Sequence, residues 1–375
     1  MTALRTRTTV SGIEAAPVLE ALLAHLAEQE MVATIHEDGW RLDYESAQIV
    51  FSAHADTLRV DINAPTPESL FDARMMVQYH IANTAGCEMG AIEWAGDKPT
   101  FERPPAFRIL TVTNVADLTA HMRRVRFKGT NLSRYDRAED LHCKLLLPQP
   151  GTIEPEWPVL GPDGMPQYPE GEKRLDMRTY TIRRIDVIAG WMEVDFVLHD
   201  DAGPGTAWAT LAQPGHQVGI LGPGGRTARP SSWMLLAGDE TALPAIARIA
   251  EKLPSDTRGE IIIEVGGAAD ELPLTAPSGM NLRWLHQGAQ PAGTTTQLQE
   301  AIFACAIPSD TDRFAWVAAE FSTAQAVRPW LRDTVGMSGK EQLVVAYWRL
   351  GMDESRMKSG GAREAKRNQG DAAKQ

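Results

Sequence analysis

The sequence of 375 residues is poor in cysteine and in long apolar runs, and these shortages exclude several classes of protein. Its three cysteines, Cys87, Cys143 and Cys305, lie far apart and form no Cys-x-x-Cys or Cys/His ligand pair. This spacing argues against an iron–sulfur cluster or a structural zinc ion, and we expect three buried free thiols. The histidines near the N-terminus show no metal-ligand spacing either, so no metal site is predicted.

The sequence also lacks positive charge overall, with a formal net charge of -12 at pH 7. This charge argues against binding to nucleic acid or to anionic membranes, and any site for an anion must concentrate positive charge locally. The first residues lack the apolar core of a signal peptide, and no apolar run reaches membrane-spanning length. We therefore expect a cytoplasmic protein.

The first hundred residues are predicted to form a small α+β domain, because apolar residues recur there with helical and then strand periods. The predicted elements are a helix at 18–26, strands at 32–36, 40–44, 48–52 and 57–63, a helix opened by Thr66-Pro67, and a strand at 91–94. A polar linker, 96–105, follows.

From Phe107 the pattern changes to strands; Met192, Val194, Phe196 and Leu198, for example, alternate as in a half-buried strand. Six such strands separated by turn residues predict a closed antiparallel barrel. The strands are predicted at 108–115, 122–128, 142–147, 178–183, 192–199 and 217–221, with a short helix at 205–213. A Pro/Gly-rich excursion at 148–176 predicts a surface loop.

After Pro230 strands alternate with helices, which predicts an open, largely parallel, doubly wound sheet with helices on both faces. The fold class is thus multidomain, of the ferredoxin reductase-like kind. The predicted domains are a small α+β domain at 1–100, a β-barrel at 106–229, an α/β domain at 230–354 and a disordered tail at 355–375.

The segment from Arg178 to Arg183 reads R-T-Y-T-I-R on a predicted strand. Since side chains alternate along a strand, Arg178 and Tyr180 share one face, while Thr181 and Arg183 share the other. Two nearby guanidinium groups suit a diphosphate, the tyrosine offers a flat partner for a ring, and the threonine offers a small donor. The segment predicts a cradle for a flavin dinucleotide, with an ordinary solvated face as the alternative.

Two helix N-termini are candidate anion sites. Gly205 and Thr206 begin the short barrel helix, where unpaired N–H groups and the helix dipole favour a pyrophosphate. His199, at the end of the preceding strand, either contacts flavin or ribose or is simply structural. The turn from Gly238 to Thr241 opens the first helix of the sheet but lacks a G-x-G-x-x-G fingerprint, so it is either a nicotinamide crevice or a plain turn.

Five motifs point to a known family. They are R-T-Y-T-I-R from Arg178, V-L-H-D-D-A-G-P-G-T-A-W-A from Val197, L-L-A-G-D-E-T-A-L-P-A-I from Leu235, A-D-E-L-P-L from Ala269 and Y-W-R-L-G from Tyr347. Through them the chain from about residue 107 to 354 resembles the siderophore-interacting proteins, flavin-dependent ferric-siderophore reductases of the ferredoxin-reductase-like group. The first hundred residues resemble a domain of unknown function that is sometimes fused to this family.

The resemblance implies FAD and NADPH or NADH as cofactors. The residues that the resemblance implies around FAD include the N-terminus of the short barrel helix. They are Arg178, Tyr180, Thr181, Arg183, His199, Gly205, Thr206 and Ala207. Those implied under the nicotinamide nucleotide are Gly238, Asp239, Glu240 and Thr241. Asp200 stands where the family commonly has glycine.

The resemblance also implies three basic residues that hold an anionic ferric chelate, such as a catecholate, near the flavin. Lys144, in H-C-K, and Arg349, in Y-W-R, match two of these positions. The third position departs from the family, because the usual G-P-R-G-S reads G-P-G-G-R from Gly222. Either Arg226 substitutes from two positions later, or the basic cluster is weaker and the preferred chelate differs.

The implied function is NAD(P)H-dependent reduction of Fe(III) in ferric siderophores, with release of iron in the cytoplasm. Because the cofactor carries this chemistry, no catalytic side chain is predicted. Two alternatives stay open: a general flavin or ferric reductase with other acceptors, and a non-enzymatic siderophore-binding protein.

Overall fold

The computed structural model describes residues 3–28, 31–86, 92–199 and 203–352. The chain divides into two compact units, one formed by Met1–Pro105 with Glu156–Pro169 and the other by Ala106–Pro155 with Glu170–Gln375. No helix in the described segments is both long enough and apolar enough to cross a membrane.

The described cysteines carry free thiols, of which Cys143 is buried and Cys305 is half-buried. The third predicted thiol, Cys87, lies outside the described residues, as does the tail predicted to be disordered. Burial raises the pKa of the Cys143 thiol to about 12, so this side chain behaves as a small apolar group of the core.

The first unit is a small α+β domain, as predicted. Its elements are β1 (Leu4–Ser11), α1 (Ala15–Glu28), β2 (Thr34–His36), β3 (Gly39–Tyr44), β4 (Ala47–His54), β5 (Thr57–Ala64), α2 (Pro67–Ala85) and β6 (Trp94–Gly96). The strands form one antiparallel sheet in the order β2-β3-β4-β5-β1-β6. Both helices contribute to its core, which includes Leu22, Phe51 and Ile81.

The first strand is absent from the sequence prediction, because its buried positions carry Thr6 and Thr8 instead of apolar residues. Their hydroxyls donate to the carbonyls of Ala95 and Glu93 at 3.0 and 2.6 Å. The hydroxyls thus satisfy polar groups at the junction with β6. A hydrophobic pattern cannot detect a strand of this kind.

The excursion at 148–176 contains a small hairpin, although no element was expected there. Its strands are β10 (Val159–Leu160) and β11 (Pro166–Gln167). Gly164, with φ of 78°, makes the tight turn between them. Residues 156–169, which include the hairpin, belong to the first unit, where Arg74 of α2 donates to the carbonyl of Asp163 at 3.1 Å.

The second unit begins with the predicted antiparallel barrel. Its elements are β7 (Arg108–Asp117), β8 (Met122–Lys128), β9 (Asp140–Pro148), β12 (Leu175–Thr181), β13 (Arg184–Asp186), β14 (Trp191–Val197), α3 (Pro204–Leu211) and β15 (Gln217–Arg226). The sheet order is β12-β9-β15-β7-β8-β14-β13. Alternating inward residues fill the core, and Trp208 of α3 packs into it beside Phe127 and Phe196.

The barrel closes through one extended segment, because β12 and β13 are separated by only two residues. β12 pairs with β9 at one edge of the sheet, and β13 pairs with β14 at the other. Between them, Ile182 N donates to Leu141 O and Arg183 N donates to Glu193 O, both at 2.9 Å. The segment predicted as one strand, 178–183, therefore takes part in joining the two edges of the sheet.

The predicted parallel sheet follows. Its elements are β16 (Trp233–Gly238), α4 (Leu243–Ala250), β17 (Arg258–Val265), β18 (Gly279–His286), α5 (Gln297–Phe303), β19 (Arg313–Glu320), α6 (Phe321–Pro329) and β20 (Gln342–Trp348). All neighbours pair in parallel, in the order β18-β17-β16-β19-β20, with an apolar core on each face. After Pro329 the sixth helix continues as a π-helical turn instead of ending.

A buried arginine ties the barrel to the parallel sheet. Arg248 of α4 is 4% exposed, and its guanidinium donates to the carbonyls of Leu141, Ile182 and Arg137 at 3.2, 2.8 and 3.0 Å. Since Leu141 lies in β9 and Ile182 directly follows β12, Arg248 fixes the strand that carries R-T-Y-T-I-R relative to the sheet.

Candidate functional site

The β12 strand presents its residues on two faces, as predicted. Tyr180 pairs with Cys143 and Arg178 with Leu145 across the ladder to β9, and both of those partners are buried in the barrel core. The Tyr180 ring packs against Phe196, with 4.4 Å between ring centroids. Arg178 and Tyr180 thus lie on the face that meets α3. Thr181, which is buried, lies on the opposite face, opposite His142.

The N-terminus of α3 lies directly against Tyr180. A Cβ atom added to Gly205 would collide with the Tyr180 hydroxyl, so only glycine fits there. Thr206 is buried, and its hydroxyl donates to Val197 O at 3.1 Å. The first intrahelical bond runs from Ala207 N to Gly203 O, which leaves the N–H groups of residues 205 and 206 pointing out of the helix end.

This arrangement fits an anionic dinucleotide. A helix N-terminus carries partial positive charge, and here it faces the same side as Arg178 and the aromatic ring of Tyr180. His199 is exposed, two residues beyond β14, and Asp200 lies outside the described residues. The predicted group is therefore brought together at Arg178, Tyr180 and the start of α3.

Arg183 stands apart from this group. Its side chain is 5% exposed and lies on the opposite face of the segment from Arg178. Its guanidinium makes a bidentate ion pair with Glu251 at 2.9 and 2.6 Å, just after α4. A contact between Arg183 and a diphosphate, as predicted, would require this ion pair to break.

The opposite face of the barrel carries the basic residues predicted for the substrate. Lys144 shares it with His142, two residues away on β9, and the Lys144 ammonium donates to the Thr179 hydroxyl. Arg226 pairs with Asp140 at the far end of β9, so it lies on the same face as Lys144. The register therefore places both cations on one surface, with His142 between them.

His142 is a site residue that the sequence pattern does not reveal. Its Nε2 lies 2.7 Å from the hydroxyl of Tyr347, 205 positions further along the chain. Burial, and then the charges of Lys144 and Arg248, lower the pKa of His142 to about 4, so the ring is neutral at pH 7. In the sequence, the only indication of a role for His142 is its position in H-C-K, two residues before Lys144.

The carboxyl ends of the parallel strands form the second half of the site. Asp239 is 6% exposed and follows β16. Its Oδ1 accepts bonds from the backbone N–H and hydroxyl of Thr241 at 3.0 and 2.5 Å. Its Oδ2 accepts bonds from Glu320 N and Trp348 Nε1 at 2.9 and 2.8 Å. One carboxylate thus joins the ends of three strands, and burial raises its pKa while these four bonds oppose the rise.

Gly238 and Glu240 complete this turn. A Cβ atom on Gly238 would collide with the carbonyl of Ala318 on β19, so glycine allows the two strands to end side by side. Glu240 accepts a bond from Gly266 N at 2.7 Å, and burial and the nearby Asp270 raise the pKa of Glu240. Hydrogen bonds within the turn and to the ends of neighbouring strands therefore hold its shape.

Glu240 also belongs to a three-residue cluster. His121, Glu240 and Asp270 bring one ligand atom each within 4.8 Å of one another, and His121 Nδ1 lies 2.9 Å from Asp270. His121 comes from the turn between β7 and β8, so the cluster joins the barrel to the sheet. The expectation of no metal site remains a prediction.

Arg349 lies at the same edge of the sheet, directly after β20. Its guanidinium stacks over the ring of Phe321, 4.3 Å from the centroid. Phe321 opens α6, and Tyr347, two residues before Arg349, contacts His142 of the barrel. Arg349 is thus two residues from Tyr347, which contacts His142 on the Lys144 face of the barrel.

Comparison with known proteins identifies the family of the chain. A family model described as "Siderophore-interacting FAD-binding domain" matches residues 111–227, and one described as "Siderophore-interacting protein" matches residues 231–351. A third, described as an uncharacterized protein conserved in bacteria, matches residues 7–95. The chain belongs to the siderophore-interacting protein family.

Several relatives extend over both domains of the second unit. A siderophore utilization protein from T. fusca, known from its crystal structure, is 36% identical; the match covers 68% of this chain and 97% of that one, with a TM-score of 0.61. Ferric vibriobactin reductase ViuB of Vibrio cholerae is 29% identical over 251 residues, covering 66% of this chain and 91% of its own. An NADPH-dependent ferric-chelate reductase of Escherichia coli is 32% identical over 222 residues, covering 57% and 82%.

Proposed function

We propose that this protein reduces Fe(III) in ferric siderophores, with FAD as its resident cofactor and NADPH or NADH as electron donor. Membership of the siderophore-interacting family supports the reaction class. The observation that carries the proposal is the contact between Tyr180 and Gly205, where a ring surface, Arg178 and a helix N-terminus converge. We place the reaction, and the release of iron, in the cytoplasm.

FAD, when bound, would accept a hydride from the nicotinamide and pass electrons singly to Fe(III). The protein's part is to hold the ring and diphosphate and to exclude water. Tyr180 would support the ring, while Arg178 and the N–H groups at the start of α3 would neutralise phosphate. Thr181 and His199 are proposed to complete the cradle. On this view residues 106–229 are the flavin domain and residues 230–354 the nicotinamide domain.

The substrate would be an anionic ferric chelate, of the catecholate type. Lys144 and Arg226 lie on one face of the barrel, and Arg349 approaches it from the end of β20. In a chain with a net charge of -12 these three cations would supply local attraction for an anion. Hard oxygen ligands favour Fe(III) over Fe(II), so reduction would loosen the chelate.

The electron donor would dock over the turn from Gly238 to Thr241, at the carboxyl ends of the strands. Since the Asp239 carboxylate already accepts four hydrogen bonds, it would act by fixing this turn. The name of the Escherichia coli relative supports NADPH, and NADH remains the alternative.

Turnover measurements with three acceptors test the proposal against its alternatives. The FAD-loaded protein should reduce a ferric catecholate faster than ferric citrate or free flavin, because the cations on the barrel face attract the more anionic chelate. Faster reduction of free flavin would instead indicate a general flavin reductase. Protein that takes up no FAD would favour a non-enzymatic siderophore-binding role.

A further inference from the structure

A cleft of about 230 Å³ opens beside the Tyr180 site, and of its lining residues only Ala207 has a predicted role. It lies between the end of β9, the start of β12 and the first turn of α3. Its lining includes Gln149, Arg174, Asp176, Pro204, Ala207 and Trp208. The cleft therefore shares the N-terminus of α3 with the ring site.

The strand geometry aligns this cleft with the ring site. Arg174 has an extended backbone and directly precedes β12, so Arg174, Asp176, Arg178 and Tyr180 alternate onto one face. At a rise of about 3.3 Å per residue, Arg174 lies about 20 Å along the strand from Tyr180. An extended ligand whose ring meets Tyr180 would pass Arg178 and then reach Arg174.

Arg174 and Arg183 differ in how their charge is used. The Arg183 guanidinium is buried in its ion pair with Glu251. The Arg174 side chain is exposed at the cleft and makes no hydrogen bond or ion pair with any described residue. Arg174 is thus the guanidinium with donors to offer a ligand.

The remaining lining residues favour the same ligand. Gln149 Nε2 donates to the carbonyl of Arg174 at 3.2 Å and to Asp176 Oδ2 at 2.8 Å, so it fixes the strand and binds one oxygen of the only acid among the lining residues. Pro204 and Trp208 offer apolar surface that suits the faces of a purine.

We propose that this cleft takes the adenosine monophosphate half of FAD, and that Arg174, in place of Arg183, is the second guanidinium on the diphosphate. The inference rests on the proposed function, since it assumes that the ring of FAD meets Tyr180. It assigns Arg178 to the flavin side of the diphosphate and Arg174 to the adenosine side.

Binding of FAD and FMN to apoprotein tests this assignment, because FMN lacks the adenosine monophosphate half. Dissociation constants are measured by quenching of flavin fluorescence for wild type, R174Q and the matched control K173Q. R174Q should bind FAD about tenfold more weakly than wild type, as expected for loss of a charged hydrogen bond, and should bind FMN equally well. K173Q removes a neighbouring charge and should leave both constants unchanged.

Three outcomes would overturn the inference. They are an unchanged FAD affinity in R174Q, an equal loss for FAD and FMN, and an equal loss in K173Q. Circular dichroism spectra and unfolding midpoints that match wild type establish that R174Q is folded. Wild-type protein that binds neither flavin would defeat the proposed function as well, whereas wild-type binding with an unaffected R174Q would defeat only the role of Arg174.

Discussion

The two halves of the candidate site differ in how far their polar groups are already satisfied. On the barrel, the Arg174 guanidinium makes no hydrogen bond or ion pair with any described residue, and the first N–H groups of α3 point out of the helix. On the sheet, the Asp239 carboxylate accepts four hydrogen bonds and Glu240 is bonded to Gly266 N. The barrel half offers donors to a ligand, whereas the carboxylates of the sheet half are already hydrogen-bonded to other groups of the protein.

This difference suggests a division of labour. A resident cofactor needs many direct contacts, and the barrel offers them. A donor that binds and leaves needs a turn of fixed shape at the strand ends, and Asp239 and Trp348 hold that turn. Substitutions on the Tyr180 face of the barrel should therefore change flavin affinity, and substitutions at the strand ends should change the reaction with the donor.

The largest effect should come from breaking the link between the halves. R248M removes the donors to three carbonyls, two of them in buried hydrogen bonds, and we expect the free energy of unfolding to fall by about 4 kcal/mol. Urea denaturation measures this fall. The control is R184Q, because the Arg184 side chain is half-exposed and its ion pair with Glu251 is long, at 3.6 Å. This substitution should lower the free energy of unfolding by less than about 0.5 kcal/mol. Equal losses in both variants would contradict the role of Arg248.

The burial of His142 should make stability fall in acid. The pKa of His142 is lowered from 6.5 to about 4 in the folded protein, so the unfolded chain binds more protons between these values. Stability is therefore lost as pH falls from 6.5 to 4, by up to about 3 kcal/mol. Denaturation of H142Q should show a correspondingly smaller loss, while H54Q, at an exposed histidine, should follow wild type. An H142Q curve parallel to wild type would refute a neutral His142.

Crowding the Tyr180 ring should weaken the barrel half alone. In G205A the new methyl group meets the Tyr180 hydroxyl, and displacement of the ring should weaken FAD binding by about 2 kcal/mol, or about 30-fold. Fluorescence titration measures this change. G203A is the matched control, since a Cβ atom there meets no atom within 4 Å, and it should bind FAD normally. Normal binding by G205A would count against a ring on Tyr180.

Loosening the strand ends should affect the donor reaction and spare the flavin. D239N cannot accept all four hydrogen bonds, because its amide nitrogen is a donor. We expect flavin reduction by NADPH or NADH to slow about tenfold, equivalent to about 1.4 kcal/mol, in anaerobic stopped-flow measurements. Bound FAD per protein should stay at the wild-type level. Loss of FAD with no slowing of the remaining flavin would reverse the assignment.

The smallest effect should come from the substrate face. K144E reverses a half-buried charge, and it should raise KM for an anionic ferric catecholate about fivefold, equivalent to about 1 kcal/mol. The flavin content should be unchanged, because Lys144 lies on the opposite face of the ladder from Arg178. A neutral ferric chelate is the control and should show little change. Unchanged kinetics with both chelates would remove Lys144 from the site.

The fold could be predicted wherever burial follows the local period. The alternation from Met192 and the strand–helix alternation after Pro230 predicted the barrel and the parallel sheet, since one face of each element must be apolar. The hydrophobic pattern did not predict the first strand, because its buried residues are Thr6 and Thr8, whose hydroxyls are hydrogen-bonded. The hairpin at 159–167 was not predicted, although Asp163-Gly164 is a turn signal.

The site was less predictable because its contacts are distant in sequence. The pairs His142–Tyr347 and Arg248–Leu141 are separated by 205 and 107 positions, and no local pattern specifies them. Arg183 illustrates the same limit. The sequence motif predicted that its guanidinium binds a phosphate, but in the fold it pairs with Glu251, 68 positions away. A local motif can indicate which groups are present, and only the fold shows which remain available.

The central claim is that FAD held at Tyr180 carries electrons from a nicotinamide to siderophore iron. The most direct test is an anaerobic absorbance titration of the FAD-loaded protein. Addition of NADPH or NADH should bleach the flavin band, and about two equivalents of ferric siderophore per flavin should restore it, because the reduced flavin carries two electrons and each Fe(III) takes one. Protein that takes up no FAD, or reduced flavin that the ferric chelate leaves bleached, would contradict the account.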